Sequence, residues 1–388
     1  MIPTRPTWAE VSRSRLRHNC RRLRNLAGPQ TELLAVVKAN AYGHGAAECA
    51  KTLAADGMQW LGVTCVDEGV AVRSVCPDAR ILIMSGIWPG EAEASVDYRL
   101  TPVVWEPQHL EWLEEAARRR GIGAGQFPIH LEIDTGMSRQ GAPYKQAEAL
   151  AERIGPASPL RLEALMTHFH SPDNEEETRS QNNLFAVAIG ALLRRNLRWD
   201  FVSVGSSANL LHPELLLQDE SPLAGLMKSV GARRMVRAGL ALYGYSPVPS
   251  GPDSELEPVL AWKTRVTGLR DIDVHTAAGY AAKFRAQRPT RLALLPVGYA
   301  DGLDWRTWDR ASVLVRGQRI PIAGRISMDQ TLMDVTDLPS VAIGDEVVLI
   351  GKQGTEKITA ADRAELRGTI AYEVLCGIGA RVPRMMVD

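Results

Sequence analysis

The sequence lacks the features that mark several large classes of protein. Its five cysteines are odd in number, scattered and without a C-x-x-C pair, which argues against a disulfide framework and against a zinc knuckle. Lysine plus arginine and aspartate plus glutamate both number 45, so no basic excess points to nucleic acid. No apolar run is long enough to cross a bilayer. We therefore expect neither a nucleic-acid partner nor a membrane span, and no metal site.

The N-terminal region also has no apolar core of the kind that signal peptides carry. Together with the cysteine pattern, this predicts a cytoplasmic location. The chain has 388 residues, of which 45% are hydrophobic and 23% charged. That composition is ordinary for a globular protein, and a chain of this length can bury a sizeable core.

Up to about residue 243, apolar runs of strand length alternate with amphipathic segments typical of helices, such as 109–120, 144–154 and 177–195. Eight alternations predict a TIM-like (β/α)8 barrel, with a doubly wound open sheet as the alternative. The eight candidate strands cover residues 33–39, 60–65, 80–85, 100–105, 128–133, 162–168, 201–204 and 235–241.

The pattern changes after Tyr245. Residues 246–258 are rich in proline, serine and glycine, which is typical of a linker or long turn. Short β-like runs follow, separated by turn signals, and indicate a mostly β domain. We therefore predict a barrel over residues 1–245 and a β-rich domain over residues 246–388. The short runs cover residues 262–269, 292–297, 311–315, 331–335 and 346–350.

A lysine stands at the end of the first apolar run. Leu-Leu-Ala-Val-Val precedes Lys38, and Ala-Asn-Ala-Tyr-Gly-His-Gly follows it. Burying an amine at a strand end is costly unless the amine is paired or used chemically, and in a barrel this end carries the active site. A desolvated amine can form an imine with an aldehyde such as that of pyridoxal phosphate. On the local pattern alone, a lysine that merely reaches into solvent is an equally good interpretation.

Nine segments, in order, resemble the alanine racemase family of fold-type III pyridoxal-phosphate enzymes. The family combines a (β/α)8 barrel with a β domain, in agreement with the residue pattern. The resemblance implies interconversion of L- and D-alanine, with pyridoxal 5'-phosphate held on Lys38 as a Schiff base and D-alanine supplied to cell-wall peptidoglycan. The segments are RPTWAEV, VVKANAYGHG, DTGMSRQG, MTHF, VRAGLALYG, GYAAKF, PVGYADG, GRISMDQ and YEVLCGIGARVPR.

Racemisation removes a proton from one face of Cα and returns one to the other, which suits two bases. The resemblance implies that Lys38 serves the D-enantiomer and Tyr280 the L-enantiomer. It also implies a head-to-tail homodimer in which Tyr280 reaches the partner's barrel. A phenol with its ordinary pKa near 10 is a poor base at neutral pH, and the family places a histidine and an arginine behind it, matched here by His168 and Arg237. Without the resemblance, Tyr280, His168 and Arg237 would be interpreted as ordinary loop and strand-end residues.

Arg237 is also implied to face the pyridine nitrogen of the cofactor. A guanidinium donates hydrogen bonds and keeps its own proton, so it leaves that nitrogen unprotonated. An unprotonated ring withdraws electrons less strongly, which should limit side reactions such as transamination.

The resemblance also implies anchors for the cofactor phosphate. Backbone and hydroxyl donors would come from Tyr42, Gly239, Leu240 and Ser207, with the neighbouring Ser206 nearly as good a candidate as Ser207. The family often adds a tyrosine at the position that is Ala380 here. One phosphate contact would therefore be missing or replaced.

Four residues match positions that bind substrate in the family. Arg139 matches an arginine near the substrate, Tyr299 a residue at the pocket entrance, and Met328, with the adjacent Asp329, the segment that holds the carboxylate. Glu132 stands where the family commonly has a carbamylated lysine. Its carboxylate can supply the negative charge unmodified, so we predict no carbamate.

Other activities stay open from the sequence. A serine or broad-specificity racemase is the first alternative, since His170-Ser171 and Gly205-Ser206 depart from the family pattern, although Tyr299 favours small side chains. A barrel-type amino-acid decarboxylase is less favoured because it does not need Tyr280. A cofactor-homeostasis protein is disfavoured because such proteins resemble the barrel alone.

Overall fold

The structure is a computed structural model that describes residues 4–212, 222–247 and 255–388. These residues form two units. The barrel unit takes in the described parts of residues 16–41 and 46–256, and the β unit takes in residues 4–15, 42–45 and 257–388.

The barrel unit is built on a closed ring of eight parallel strands. Each strand is hydrogen-bonded to the next in sequence, and the last pairs with the first. Strands such as Thr101–Val104 are buried along their whole length, as parallel strands covered by helices require. The predicted (β/α)8 barrel is confirmed. Its strands are Thr31–Val36, Trp60–Val63, Arg80–Ile83, Thr101–Val104, Phe127–Asp134, Leu160–Met166, Phe201–Ser203 and Arg233–Ala238, and the short Ala142–Pro143 pairs beside Phe127–Asp134.

Helices alternate with these strands. Glu175–Arg194 shows how the sequence fixes such a helix: the side chain of Asn174 accepts the Glu177 amide at 3.1 Å, and three glutamates in the first turn favour the positive end of the helix dipole. Across the described residues, the longest apolar helical stretch falls short of what a membrane span needs. The other helices of this part of the chain are Arg13–Ala27, Ala46–Ala55, Val66–Val75, Glu91–Asp97, Pro107–Arg119, Ala147–Glu152, Ser207–Leu211 and Pro222–Val230, with a 3-10 turn at Leu240–Tyr243.

The β unit is mostly sheet, as predicted. Its largest sheet runs in the order Gln318–Pro321, Ser312–Val315, Glu346–Gln353, Leu260–Arg265, Thr7–Ser12, Arg384–Val387, and Glu356–Ile358 pairs with Glu346–Gln353. A second sheet has the order Gly268–Ile272, Thr290–Leu295, Thr331–Asp334, and Ala277–Ala278 pairs with Phe284–Arg285. The helices are Ala360–Arg367 and Ala371–Cys376, with 3-10 turns at Tyr280–Ala282, Tyr299–Asp301 and Trp305–Thr307.

The start of the chain differs from the predicted division. Thr7–Ser12 pairs antiparallel with Leu260–Arg265 and parallel with Arg384–Val387, so it belongs to the β unit and not to a barrel that begins at residue 1. A single short strand carries no local signal for the sheet it will join. The boundary at 245/246 stays a prediction, since residues 248–254 of the expected linker lie outside the described residues.

Most predicted strands differ from the observed ones by a few residues at one or both ends, and two of these differences change the interpretation. The first barrel strand ends at Val36 instead of residue 39. The run at 262–269 divides into Leu260–Arg265 and Gly268–Ile272 because the chain changes partners between them, with the Val266 amide bonded to the Asp345 carbonyl and the Thr267 amide to the Leu294 carbonyl.

Candidate active site

Lys38 follows the first barrel strand at the start of an unusual turn. Val37 is buried and Lys38 is half-buried. The next four residues, Ala39 to Tyr42, have φ values of 51°, 54°, 55° and 52°, a left-handed conformation that residues other than glycine rarely adopt. The predicted position of Lys38 inside the strand is therefore wrong by two residues. Lys38 still lies at the barrel mouth, by which we mean the C-terminal ends of the eight strands.

Arg237 is buried at the same end of the barrel, with 6% of its surface exposed. Its Nη1 donates to the carbonyl and hydroxyl of Ser203 at 3.0 and 2.7 Å, and its Nη2 donates to the Thr167 carbonyl at 2.8 Å and to His168 Nδ1 at 3.0 Å. Burial lowers the pKa of Arg237 to about 10, so it stays charged at neutral pH. Within the part of the chain that the structure describes, no acceptor takes its Nε–H.

His168 is uncharged at physiological pH. Burial, followed by the charges of Arg237, Arg139 and Lys38, lowers its pKa to about 3. A guanidinium can only donate, so Nδ1 is the acceptor and the single ring proton is on Nε2. His168 therefore offers an Nε2–H donor that Arg237 orients. The electrostatic influence of Lys38 and Arg139 also shows that these four side chains share the barrel mouth.

Ser207 connects two loops at the barrel mouth. Its Oγ accepts the amides of Gly239 at 2.8 Å and Ala241 at 3.3 Å. Ser206 instead turns to Asn209, whose Oδ1 accepts its amide at 3.0 Å. The contacts therefore favour Ser207 over Ser206 as the partner of the segment Gly239–Leu240. Leu240 begins a 3-10 turn, and the first amides of such a turn have no partner within it.

Glu132 is 3% exposed inside the barrel. Gln140 Nε2 donates to its Oε2 at 2.6 Å and to the Met84 carbonyl at 2.9 Å. Burial raises the pKa of Glu132, although the Gln140 hydrogen bond and the positive charges of Arg237 and Arg139 oppose the rise. The carboxylate thus acts on both arginines electrostatically. Gln140, which the sequence did not single out, fixes its position.

Tyr42 belongs to the β unit, where it is buried beside Tyr372 with ring centroids 5.9 Å apart. Burial, and then the neighbouring Tyr372 and Cys376, raise the pKa of Tyr42. The phenol therefore keeps its proton and can act as a hydrogen-bond donor. Ala380 is exposed.

The remaining candidates in the β unit are exposed. Tyr280 is 69%, Met328 53% and Tyr299 44% exposed, although large apolar side chains are usually buried in a folded chain. Their segments touch: the Tyr299 amide donates to the Ser327 carbonyl at 3.0 Å, and a Cβ on Gly279 would lie 3.6 Å from the Arg325 amide nitrogen. We call these three side chains the exposed face.

A buried carboxylate supports the exposed face, and sequence reasoning missed it. Asp301 is fully buried and accepts from Arg5, from Arg381 Nε at 2.7 Å and from the Gly298 amide at 2.9 Å. Two arginines and the amide hold the pKa of Asp301 below its usual range, although burial alone would raise it. Arg381 also donates to the exposed Asp329. The available signal was that all four side chains lie in segments that carry the family resemblance.

The structure therefore brings some predicted residues together and separates others. Within the barrel unit it gathers Lys38, Glu132, Arg139, His168, Ser207, Arg237, Gly239 and Leu240 at the barrel mouth or just below it. The β unit holds Tyr42, Tyr280, Tyr299, Met328 and Asp329.

Comparison with known proteins agrees with the resemblance of the nine sequence segments over nearly the whole chain. The sequence profile "Alanine racemase, N-terminal domain" matches residues 11–247, and "Alanine racemase, C-terminal domain" matches residues 259–386. An alanine racemase of Halothermothrix orenii is 37% identical over 385 residues, which cover 98% of this chain and 97% of the relative. One of Symbiobacterium thermophilum is 38% identical over 384 residues, covering 98% and 97%.

Solved structures agree. The alanine racemase of Streptomyces coelicolor has a TM-score of 0.87 and 32% identity, covering 99% of this chain and 98% of that one. That of Bacillus anthracis, with bound L-Ala-P, has a TM-score of 0.87 and 29% identity, covering 100% and 96%. Matching profiles and relatives above 30% identity over nearly the full length leave one conclusion: the chain belongs to the alanine racemase family.

Proposed function

We propose that this protein racemises alanine with pyridoxal 5'-phosphate bound to Lys38, using Lys38 and Tyr280 of a partner subunit as the two bases. The observation that carries the proposal is the pair at the barrel mouth, where a buried Arg237 orients a neutral His168 beside the charge of Lys38. Membership of the family supports the same activity. The D-alanine formed would serve cell-wall peptidoglycan, and five cysteines without a disulfide among the described residues fit the expected cytoplasmic location.

The residues at the barrel mouth fit this cofactor. When bound, it supplies an aldehyde that attaches the amino acid and a ring that makes the α-proton acidic. Lys38 would hold the aldehyde carbon, and the free Nε–H of Arg237 is a donor for the ring nitrogen. Ser207 and the segment Gly239–Leu240, which its Oγ holds in place through the Gly239 amide, would hold the phosphate. Tyr42, with its proton retained, would add a further phosphate donor.

Arg237 sets what the ring can do. Its guanidinium remains protonated at neutral pH, with a pKa of about 10, and therefore donates to the ring nitrogen without giving up a proton. Arg237 would thereby favour return of the proton to Cα over transamination. Glu132 would balance the positive charges of the buried Arg237 and the exposed Arg139.

Proton transfer falls to Lys38 and Tyr280. The Lys38 amine would hold or give a proton on one face of Cα. Tyr280 would act on the other face as a phenolate, which the Nε2–H of His168 can stabilise by a charge-assisted hydrogen bond. Because Arg237 donates to Nδ1, the ring proton of His168 lies on Nε2, where it is available to the phenolate.

Exposure supports a homodimer in which each subunit completes the other's site. Tyr280, Tyr299 and Met328 form an apolar face that lies open to solvent in the single chain. Such faces mark interaction surfaces. We propose that the exposed face covers the barrel mouth of a second copy, where Tyr280 meets His168, Tyr299 narrows the entrance, and the Met328–Asp329 backbone receives the substrate carboxylate together with Arg139.

Circular dichroism of L-alanine against time tests the activity. The wild-type protein should abolish the signal as the racemate forms, whereas Lys38→Ala should leave it constant and lose the visible absorption of the lysine-bound cofactor. Tyr280→Phe should keep that absorption and lose most of the rate. Parallel assays with L-serine, and of carbon dioxide release from lysine, ornithine and diaminopimelate, separate a broad racemase and a decarboxylase from the proposed enzyme.

A further inference from the structure

The turn after Lys38 is energetically unfavourable by itself. Four successive residues without glycine, Ala39 to Tyr42, have left-handed backbones. Each such residue is strained because Cβ crowds the following carbonyl oxygen. A turn of this kind persists only where surrounding contacts hold it. The contacts at its beginning therefore decide where the Lys38 backbone lies.

Glu68 makes the contact nearest to Lys38. Its Oε1 accepts the amide of Ala39, the residue directly after the lysine, at 2.7 Å. Its Oε2 accepts the amide of Thr64 at 2.8 Å. Thr64 directly follows the second barrel strand, Trp60–Val63. One carboxylate thus joins the ends of two adjacent strands at the barrel mouth.

The other contacts of the turn lie further along. The Ala41 amide donates to the Val37 carbonyl at 2.9 Å, and the side chain of Asn40 accepts the Ala46 amide at 2.8 Å. Neither bond reaches Ala39. The carboxylate of Glu68 is therefore the acceptor that holds the amide of Ala39, and hydrogen bonds to a charged acceptor are stronger than those to a neutral one.

Helix capping does not account for both bonds. Glu68 lies in the first turn of Val66–Val75, so an acidic side chain there is favourable for the helix, and its bond to Thr64 resembles a capping contact. The bond to Ala39, however, leaves the helix and the strand before it entirely. Ala39 is on a different strand-to-helix connection, the one that carries the lysine.

We propose that Glu68 is a positioning residue for Lys38: it holds the strained turn so that the amine projects from a fixed point at the barrel mouth. The inference rests on the proposed function of Lys38 as the cofactor-bearing base. Loss of the carboxylate lets the Ala39 peptide relax towards ordinary dihedral angles, which moves the amine without removing any group that touches substrate.

The test compares Glu68→Gln and Glu68→Ala with Asp67→Asn. Asp67 lies in the same helical turn, is exposed, and makes no hydrogen bond or ion pair among the described residues, so its change removes the same charge without touching the turn. In the cofactor-free protein, hydrogen exchange of the peptide that contains Ala39 should quicken about tenfold in Glu68→Gln and further in Glu68→Ala, as expected for the loss of a hydrogen bond to a charged group. Asp67→Asn should match the wild type.

The same variants are then measured with cofactor. Glu68→Gln should lower kcat roughly tenfold, with KM for alanine within about twofold, because positioning affects the transition state more than substrate binding. The visible absorption of the lysine-bound cofactor should be weaker in Glu68→Gln than in the wild type, because less cofactor is attached to Lys38. Unchanged exchange at Ala39 in Glu68→Ala, or equal losses in Asp67→Asn, would overturn the proposal and leave only a helix-capping role. A wild-type protein without Lys38-dependent absorption would instead refute the proposed function, while the exchange experiment would still decide whether Glu68 holds the turn.

Discussion

The barrel unit and the β unit hold their candidate residues in opposite ways. In the barrel unit, Glu132 and Arg237 are 3% and 6% exposed, each is hydrogen-bonded, and burial shifts the pKa of both. In the β unit, Tyr280 and Met328 are 69% and 53% exposed. Except for the buried Tyr42 of the β unit and the exposed Arg139 of the barrel unit, the barrel unit builds its candidate groups into the interior and the β unit exposes them.

This difference separates two kinds of contribution. A buried charge is costly unless its partners are in place, so the polar groups of the barrel must be satisfied by the chain itself before any ligand arrives. The exposed face needs no internal partner and gains its role when it meets another surface. Substitutions in the barrel interior should therefore change stability, whereas substitutions on the exposed face should change catalysis alone.

The sharpest test of this comparison is Tyr280→Phe. We expect the racemisation rate to fall about 10³-fold in both directions, as is usual when a general acid or base is removed. The thermal midpoint and the absorption of the lysine-bound cofactor should remain those of the wild type, because the hydroxyl of an exposed side chain adds little to folding. Circular dichroism follows the rate, and calorimetry follows the stability.

Tyr98→Phe is the matched control. Tyr98 is 43% exposed in the barrel unit, and removing its hydroxyl should leave both rate and stability unchanged. If Tyr280→Phe retained more than a tenth of the wild-type rate, Tyr280 would not be a base. If it also lowered the thermal midpoint, the exposed face would belong to the folded core.

The opposite behaviour is expected of Glu163 in the barrel interior. Glu163 is 1% exposed, accepts from Arg80 at 2.5 Å and lies 3.4 Å from His130 Nε2. Burial alone would raise its pKa, but the bonds with His130 and Arg80 outweigh burial and lower the pKa to about 2. A carboxylate with a depressed folded pKa stabilises the fold above its unfolded pKa, near 4.3, and loses that contribution as pH falls towards 2.

Glu163→Gln should therefore lower the free energy of unfolding by about 3 kcal/mol at pH 7. The difference from the wild type should shrink between about pH 4 and pH 2, where the native carboxylate is itself protonated. Urea titrations at several pH values measure it. Glu111→Gln, which removes an exposed partner of Arg153, should cost below about 0.5 kcal/mol. A loss in Glu163→Gln that did not depend on pH would mean that packing, not charge, makes Glu163 important.

Gly298 lies against the backbone of Met328 beside the exposed face, and a substitution there should affect stability as one in the interior does. A Cβ there would lie 2.2 Å from the Ser327 carbonyl oxygen and 2.4 Å from that of Met328. Gly298→Ala should therefore cost about 1–3 kcal/mol through overpacking and displace the Met328 backbone, raising KM for alanine. Gly155→Ala, whose Cβ would meet nothing within 4 Å, should leave both quantities nearly unchanged. Equal stability of Gly298→Ala and Gly155→Ala would show that the backbone beside the exposed face can move enough to accept a methyl group.

The fold could be predicted from the sequence where the pattern is local. Eight apolar runs separated by amphipathic segments marked the barrel strands, since strands buried on both faces carry continuous apolar sequence. The strand Thr7–Ser12 was assigned to the barrel by its place in the chain, but its partners lie some 250 and more residues away. The left-handed turn after Lys38 could not be predicted from the sequence, because Ala-Asn-Ala-Tyr contains no glycine, the residue that usually adopts this conformation.

The candidate site could likewise be predicted only in part from the sequence. Lys38 and Tyr280 could be found by resemblance to the family. Only the structure shows that Lys38 is half-buried in the barrel unit and that Tyr280 is exposed in the β unit. Gln140, Asp301 and Glu68 could not be singled out, because each acts by holding another residue through contacts that only the folded chain creates. Ser207 and Ser206 were indistinguishable in sequence, and a single pair of amides distinguishes them in space.

The smallest expected effect concerns Glu132, and it is an expected absence of change. Our proposal is that the Glu132 carboxylate, within electrostatic reach of Arg139 and Arg237, supplies the negative charge that they need. Removing dissolved carbon dioxide or adding bicarbonate should then leave kcat and KM of the wild type unaltered. Glu132→Lys provides the contrast, since a buried amine there can react with carbon dioxide and should make activity depend on bicarbonate. Wild-type activity that fell without carbon dioxide and recovered with bicarbonate would mean that a modified lysine elsewhere serves the arginines. It would also mean that the barrel interior depends on carbon dioxide taken up from solution, just as the exposed face depends on a partner surface.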